Sequence, residues 1–236
     1  MVKTREYQVL LSACNQEGCL LCNLVHESIF RYLDAWKYEL FTDVDIRQEL
    51  RNTQGFCHIH TWQLAGMGAT LPIAQAYRDI LSDTIDQLEQ NTTLTSPAAG
   101  GLFRRLFDNK SDTSSKPACP ACKQKLQAEE GYIHNLRQAL LDDEFVAALS
   151  ASTGLCLDHF RQTSELRGAE VSGNWLQRLR QAQLSCLKRL DAQLAELIRK
   201  HDYRFKDEER GDEMKAWQRA AGLVAGEDVL KRTKDA

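Results

Sequence analysis

Apolar residues recur every three to four positions through most of this chain. They follow this spacing over residues 24–36, and a similar run covers about residues 123–141. Further runs extend from Pro72 through Leu88 and over about residues 174–200. This period is that of a helix with one buried face. Alternating strand patterns and hairpin turns are lacking, so the sequence predicts an all-α fold.

Cysteine spacing reveals an internal duplication. The pattern CxxC, about 34 residues, then G[FL]CxxH occurs twice along the chain. The eight Cys and His residues of the two copies are Cys19, Cys22, Cys57 and His60, then Cys119, Cys122, Cys156 and His159. Such self-similarity at fixed spacing is typical of a duplicated structural unit. We therefore predict an all-α fold made of a duplicated helical unit.

Helix starts and turns also match between the two copies. A short helix is predicted before each CxxH, and aspartate is a favoured residue at helix N-termini. It is expected to begin at one of two aspartates in each copy: Asp43 or Asp45, and Asp142 or Asp143. Gly55 and Gly154 suit the turn that ends this helix just before the CxxH motif.

The motif spacings predict metal binding. The sulfurs of CxxC converge on one ion, and Cys and His three residues apart on a first helical turn present both ligands from one face. Each copy supplies three thiolates and one imidazole, which form a closed tetrahedral set for zinc. A closed set leaves no position for water, so it favours a structural role over hydrolysis. Two Zn²⁺ ions per chain are predicted.

Several alternatives remain open from the sequence. The same cysteines are compatible with disulfides or with unliganded thiols, although clustered cysteines in a reducing compartment more often bind metal. Thiolate-rich sites also hold iron–sulfur clusters, and Cys₃His can ligate a two-iron cluster, although zinc is favoured. The ligands can pair within one copy or across both. Pairing within a copy is preferred because it closes the shorter loop, a modest preference since loop entropy grows only logarithmically.

Two further cysteines lie outside the duplicated motifs. Cys14 precedes Cys19 by five residues, but each ligand set is complete without it, so we interpret it as a buried thiol. Cys186 lies at helical spacing from Leu179, Ala182 and Leu190, which predicts a core position.

Composition divides the chain into four segments. Residues 1–90 and 119–200 form the first and second metal-binding helical repeats. Residues 91–118, rich in Thr, Ser, Gly, Ala and Pro, mark a linker. Within the linker, the apolar and basic run at residues 102–107 can contact a membrane surface or a partner, but it is short for that role and packing onto the body is favoured. Residues 201–236 form a C-terminal clasp or recognition segment.

The C-terminal segment combines polar groups with an aromatic anchor. His201, Asp202 and Arg204 are close in sequence, and Trp217 lies on a predicted final helix over residues 212–225. An arginine near aromatics can bind an anion or a nucleotide, and an enzyme can use such a cluster. A hydrogen-bonded clasp is the favoured interpretation. Because the metal ligands are saturated, any recognition is expected to lie in this segment.

Charge and the N-terminal residues bear on partners and compartment. The 236 residues contain 30 Lys and Arg against 33 Asp and Glu, a net charge of −3 that argues against general nucleic-acid binding. The start resembles a lipoprotein signal ending at Cys14, but Glu6 and Gln8 interrupt its apolar run. No stretch approaches the roughly 20 apolar residues of a membrane span. A cytoplasmic protein with reduced thiols is expected.

The motifs together resemble an uncharacterised bacterial family, the domain of unknown function 6062. The resemblance rests on the paired motifs CxxC and GFCxxH, then CPxC and GLCxxH, and on the tail IRKHDYRF before a Trp-containing helix. It covers roughly residues 15–226. The family pattern has CPxC in the first repeat as well, where this chain has Leu20, a change that alters the turn but not the ligands.

The resemblance implies metal binding and a cytoplasmic location, and it supplies no reaction. No P-loop, GxGxxG, HExxH or GxSxG motif indicates an established catalytic class. We therefore expect a metal-stabilised helical interaction or regulatory protein with a macromolecular partner. The alternatives are an iron–sulfur or thiol redox sensor, or an enzyme that uses His201, Asp202 and Arg204.

Overall fold

The prediction of an all-α protein is confirmed. The computed structural model describes residues 4–92, 118–165, 173–205 and 207–227, which form helices joined by turns and contain no strand. The α-helices are α1 (Arg5–Ala13), α2 (Leu20–Tyr38), α3 (Val44–Asn52), α4 (His58–Gly66), α5 (Thr70–Thr92), α6 (Pro120–Ala139), α7 (Asp143–Ala151), α8 (Leu157–Ser164), α9 (Trp175–Lys200) and α10 (Ala216–Ala225). Short 3₁₀ helices occur at Leu40–Thr42, Tyr203–Phe205 and Asp212–Lys215.

The order of helix lengths repeats along the chain. Helices α2 to α5 and α6 to α9 each run long, short, short, long, with 19 and 20 residues in α2 and α6 and 9 residues in both α3 and α7. The duplication seen in the motifs therefore extends to the helices. Residues 93–117, which include the apolar and basic run at 102–107, lie outside the described residues. The division into repeats, linker and C-terminal segment stays a prediction.

Local capping explains where the short helices begin. Asp43 caps α3 by accepting hydrogen bonds from the backbone N–H groups of Asp45 and Ile46. Asp142 caps α7 in the same way. Helix N-termini leave such donors unsatisfied, and a side-chain oxygen at this position satisfies them. Gly55 and Gly154 follow with φ of +94° and +86°, in the left-handed region that favours glycine.

The chain divides into two compact units. One comprises residues 1–28 and 125–235, and the other comprises residues 29–124. Both boundaries fall inside long helices, α2 and α6. Each unit therefore contains the CxxC motif of one copy and the CxxH motif of the other.

The first unit packs α9 against α7. The buried face of α9 includes Leu179, Ala182, Cys186 and Leu190, at the spacing expected of a helix. The Cys186 thiol donates to the carbonyl oxygen of Leu149 at 3.3 Å, so its predicted core position is confirmed.

Gln183 fixes the turn that leads into the second CxxH motif. Its side-chain amide donates to the carbonyl of Leu155 at 2.8 Å and accepts from the N–H of Leu155 at 2.9 Å. Both groups are buried, so these bonds satisfy backbone polar groups that water does not reach. The residue after Leu155 is Cys156, and its backbone is thereby held against α9.

The second unit is held by aromatic packing and by ion pairs between helices. Trp36 is fully buried, and its ring meets that of Phe56 edge-on with centroids 5.2 Å apart. Arg51 on α3 donates to Asp83 on α5, with Nε 2.9 Å from Oδ2. Such half-exposed pairs add little stability, so the apolar contacts dominate.

Alanine at Gly154 is expected to destabilise the protein. The backbone there is left-handed, and an added Cβ would lie 3.0 Å from Cβ of Cys186. We expect the free energy of unfolding to fall by about 1–3 kcal/mol. The same change at Gly131, in α6 with open space around it, should raise stability by roughly 0.5–1 kcal/mol. Urea unfolding followed by circular dichroism measures both, and equal effects at the two positions would contradict this account.

Candidate metal centres

Four ligand atoms converge at each of two places. Site 1 consists of Cys19, Cys22, Cys156 and His159, and site 2 consists of Cys57, His60, Cys119 and Cys122. Within each site all ligand atoms lie within 4.8 Å of one another. Each site therefore brings together three sulfurs and one imidazole nitrogen, a set that can hold a metal ion.

In site 1 the imidazole stands over three sulfurs. Nδ1 of His159 lies 3.5 Å, 3.3 Å and 3.2 Å from the Sγ atoms of Cys19, Cys22 and Cys156. The sulfurs of Cys22 and Cys156 are 3.7 Å apart. All four residues are buried.

Site 2 has the same composition and similar dimensions. Nδ1 of His60 lies 3.1 Å, 3.7 Å and 3.5 Å from the Sγ atoms of Cys57, Cys119 and Cys122. The sulfurs of Cys57 and Cys122 are 3.7 Å apart. Here Cys57 and Cys122 are only half-buried.

These distances fit one tetrahedral ion in each site. With Zn–S of about 2.3 Å and Zn–N of about 2.0 Å, tetrahedral geometry places the ligand atoms about 3.5–3.8 Å apart. The separations in both sites, 3.1 to 3.7 Å, are close to this range. The donor set and its spacing therefore fit a zinc ion in each site.

Every ligand pair lies at the start of a helix. Cys156 and Cys57 are the N-cap residues of α8 and α4, and the sulfur of Cys156 accepts a hydrogen bond from the N–H of His159. Cys19 and Cys119 each directly precede a helix, α2 and α6. The positive end of the helix dipole favours thiolates at these positions. Leu20 begins α2 just as Pro120 begins α6, so the missing proline leaves the ligands in place.

The packed thiols shift one another's ionisation. Burial raises the pKa of Cys19 well above its usual value and raises the pKa of Cys122 to about 12. Hydrogen bonds from the thiols of Cys19 and Cys22 strongly lower the pKa of Cys156. Three thiols in such a pocket do not all ionise by themselves, because burial and mutual repulsion oppose it. A cation bound among the three sulfurs would stabilise their thiolate forms and so oppose both effects.

A carboxylate stands behind the imidazole of site 1. Oε1 of Glu129 lies 3.5 Å from Nε2 of His159, the ring nitrogen that faces away from the sulfurs. Glu129 is buried, and Lys125 lies 3.4 Å from the same oxygen. Its pKa is lowered: burial raises it, but the contacts with His159 and Lys125 outweigh that effect. A carboxylate in this place favours the tautomer with Nδ1 toward a metal.

The preference for pairing within one copy is wrong, since each site joins the CxxC of one copy to the CxxH of the other. The reason is helix stiffness. At 1.5 Å per residue, α2 spans about 28 Å and α3 about 14 Å. Helix α3 covers only about half the length of α2, so this pair of rigid helices does not by itself return the chain to Cys19 and Cys22. Loop entropy describes a flexible chain, and these segments are not flexible.

Cys14 and Cys186 lie outside both sites, and no disulfide joins any of the eight cysteines. Both residues are buried. Burial raises the pKa of Cys14 to about 12, which makes it an unreactive thiol.

The four C-terminal candidate residues lie at the end of α9, in the 3₁₀ helix Tyr203–Phe205 and the turn before it, and on α10. Arg204 and Asp202 form an ion pair, with Nη2 2.6 Å from Oδ2. His201 ends α9, with Nδ1 3.3 Å from the carbonyl oxygen of Leu197. Trp217 lies on α10 and is 58% exposed. A role for these residues in ligand or partner binding stays a prediction.

Two functional candidates escaped the sequence analysis, and both are acids at site 1. Glu129 lies seven residues after Cys122, two turns further along the same helix. In the sequence it resembles an ordinary exposed acid, and only the structure shows that it is buried. Glu227 accepts a hydrogen bond from the N–H of Cys19 at 3.3 Å, over a separation of 208 residues. No local sequence signal marks a contact of that range.

Comparison with known proteins places the chain in a family. The model of the family of unknown function DUF6062 matches residues 9–231. The chain belongs to this family. The resemblance inferred from the cysteine motifs is thereby confirmed.

Another similar protein is an uncharacterized 23.9 kDa protein in the xynA 3′ region of Caldicellulosiruptor sp. (strain Rt8B.4). It is 24% identical over 213 residues, which cover 89% of this chain and 96% of that protein. No solved structure matches the chain. Among the described helices of this DUF6062 protein, none has the length and apolar character needed to cross a membrane.

Cutting the chain between its two repeats is expected to leave the fragments together with two bound metal ions. Each site takes ligands from both sides of the cut, so bound metal ions would join the fragments. A protease recognition sequence inserted within residues 93–117 provides the cut, and size-exclusion chromatography with elemental analysis gives the result. Two fragments that separate while each retains one metal ion would contradict the cross-paired sites.

Proposed function

We propose that this protein is a helical interaction or regulatory protein whose fold is stabilised by two structural zinc ions. One observation carries the proposal: two complete Cys₃His sets, each with the spacing of a single tetrahedral ion. Both sets are closed, so a bound zinc has no position left for water or substrate. The ions would supply binding energy to the fold itself, because each joins two helix starts that are distant in sequence.

Zinc is the metal that this donor set favours. Thiolate and imidazole in tetrahedral arrangement are typical of structural zinc. In a two-iron cluster the four ligands are shared between two iron atoms, whereas these ligand atoms surround one centre within 4.8 Å. Thiolate ligands persist where thiols are kept reduced, so we place the protein in the cytoplasm.

Catalysis by the C-terminal residues receives little support. The side chain of Arg204 is 66% exposed and is already paired with Asp202. Electrostatic catalysis depends on charges held in a site that excludes water. We therefore favour the interaction role over an enzyme that uses His201, Asp202 and Arg204.

The interaction role is supported by a surface outside the C-terminal segment, on helix α4, which starts at site 2. Ile59 and Trp62 are 55% and 61% exposed on this helix. The matching positions on α8, one copy later, hold Asp158 and Arg161, which form an exposed ion pair. The architecture therefore does not require an apolar face here. Tryptophan is among the residues enriched at protein interfaces, so we assign this face to a protein partner.

Metal content tests the structural part of the proposal. Wild-type protein should be colourless and contain two zinc ions by elemental analysis. Cys57→Ser and Cys156→Ser should each remove about one equivalent and lower the melting temperature, and the double variant should remove both. Cys14→Ser and Cys186→Ala are matched controls that should retain two. Absorption near 400 nm, a rough expectation for thiolate-bound iron, or metal loss in Cys14→Ser would contradict it.

Site-specific crosslinking tests the interaction part. A photo-crosslinking amino acid at Trp62 should capture a defined protein in cells, and the same group at Arg161, its counterpart in the second copy, should not. Mass spectrometry identifies the product, and Trp62→Arg should abolish binding of the purified partner while both zinc ions are retained. Equal capture at the two positions would indicate nonspecific contact and would count against this face.

A further inference from the structure

The two sites differ in how far solvent reaches their thiols. The three cysteines of site 1 are 2–5% exposed, whereas Cys57 and Cys122 of site 2 are half-buried. A chelator or a competing cation must reach a ligand atom before it can displace a bound metal. Thiols that are accessible are also the ones that react. A chelator or a competing cation can therefore reach the thiols of site 2 more easily than those of site 1.

Site 1 also has a buried carboxylate beside its imidazole. Glu129 lies seven residues after the second cysteine of its CxxC motif, and the corresponding residue of the first copy is Ile29. Removal of such a carboxylate typically lowers metal affinity by about 10- to 100-fold. Glu129 therefore favours retention of a metal ion in site 1.

The C-terminal segment adds a second restraint to site 1. Glu227 accepts from the N–H of Cys19, and α10, which precedes it, packs against α8, the helix that carries His159. Space for this carboxylate depends on glycine, because a Cβ at Gly18 or at Gly222 would collide with the Glu227 side chain. The segment thus contacts both halves of site 1, its CxxC turn and its CxxH helix.

We infer that the two sites have different roles: site 1 retains its metal permanently, and site 2 exchanges its metal with the surroundings. This inference rests on the proposed function, since it assumes that both sites bind metal. The exchanging species is a divalent cation of the zinc type, which the thiolate and imidazole donors select.

Exchange at site 2 acts on the proposed interaction face. Cys57 is the N-cap of α4 and His60 its third residue, so the metal ion fixes the start of the helix that presents Ile59 and Trp62. Loss of that ion releases the first turn of α4 and changes the surface offered to the partner. Site 2 thereby couples partner binding to the availability of zinc.

Chelator challenge of the zinc-loaded full chain tests the inference. A chromogenic chelator in excess should remove one equivalent quickly and the second at least about tenfold more slowly. Cys57→Ser should lack the fast phase and keep the slow one, and Cys156→Ser should lack the slow phase. In the wild type, the amide and indole signals of α4, assigned by NMR, should change during the fast phase while those of α10 stay unchanged.

Variants of Glu129 and Glu227 test whether these carboxylates position the ligands of site 1 or only fill space in the structure. Glu129→Gln and Glu227→Ala should accelerate the slow phase by about 10- to 100-fold and leave the fast phase unchanged. Glu130→Ala, at an exposed neighbouring position on α6, is the control and should alter neither phase. Acceleration of both phases by Glu129→Gln would indicate general loss of stability and would count against its positioning role.

The outcomes distinguish this inference from the proposed function. Two equivalents released in a single phase, or a slow phase that disappears in Cys57→Ser, would overturn the difference between the sites and leave the structural zinc proposal intact. A wild-type protein that binds fewer than two metal ions would overturn the proposed function itself.

Discussion

Three thiolates held within a few ångströms of one another repel unless a cation lies among them, and the helices of this protein bring three cysteine sulfurs together at each of two places. Each site takes its four ligands from two helix starts that are more than 50 residues apart in the sequence. Helix N-termini suit the task because their dipoles favour negative charge and their backbone fixes the direction of each ligand. The long helices and their capped short neighbours then serve to bring these starts together.

Features set by neighbouring residues were open to prediction, and features set by distant contacts were not. Asp43 and Asp142 cap short helices, and Gly55 and Gly154 turn the chain, because each acts within a few residues of itself. Helix α1 escaped prediction because its apolar residues were compared with a signal sequence. Ligand pairing was predicted wrongly because loop entropy was applied to a segment that is mostly rigid helix.

The two copies share their ligand residues but differ in the residues that surround them. Helices α4 and α8 begin with the same CxxH arrangement, yet one presents Ile59 and Trp62 to solvent where the other presents an ion pair. Glu129 stands behind one imidazole, and the matching position in the other copy holds Ile29. The ligand residues are the same in both copies, whereas the residues around them differ in charge and exposure. Burial follows the same division, since only one site is fully enclosed.

The reciprocal exchange of motifs has a consequence for the origin of the chain. The CxxC and CxxH of one copy belong to different sites in this chain, so a protein of a single copy with the same arrangement would leave both ligand sets incomplete. Two such proteins could complete both sites by exchange, each giving its CxxC to the CxxH of the other, which is the reciprocity of a two-fold symmetric dimer. Gene duplication and fusion of such a homodimer would produce this chain directly. An ancestor of this kind would have had complete ligand sets only as a dimer.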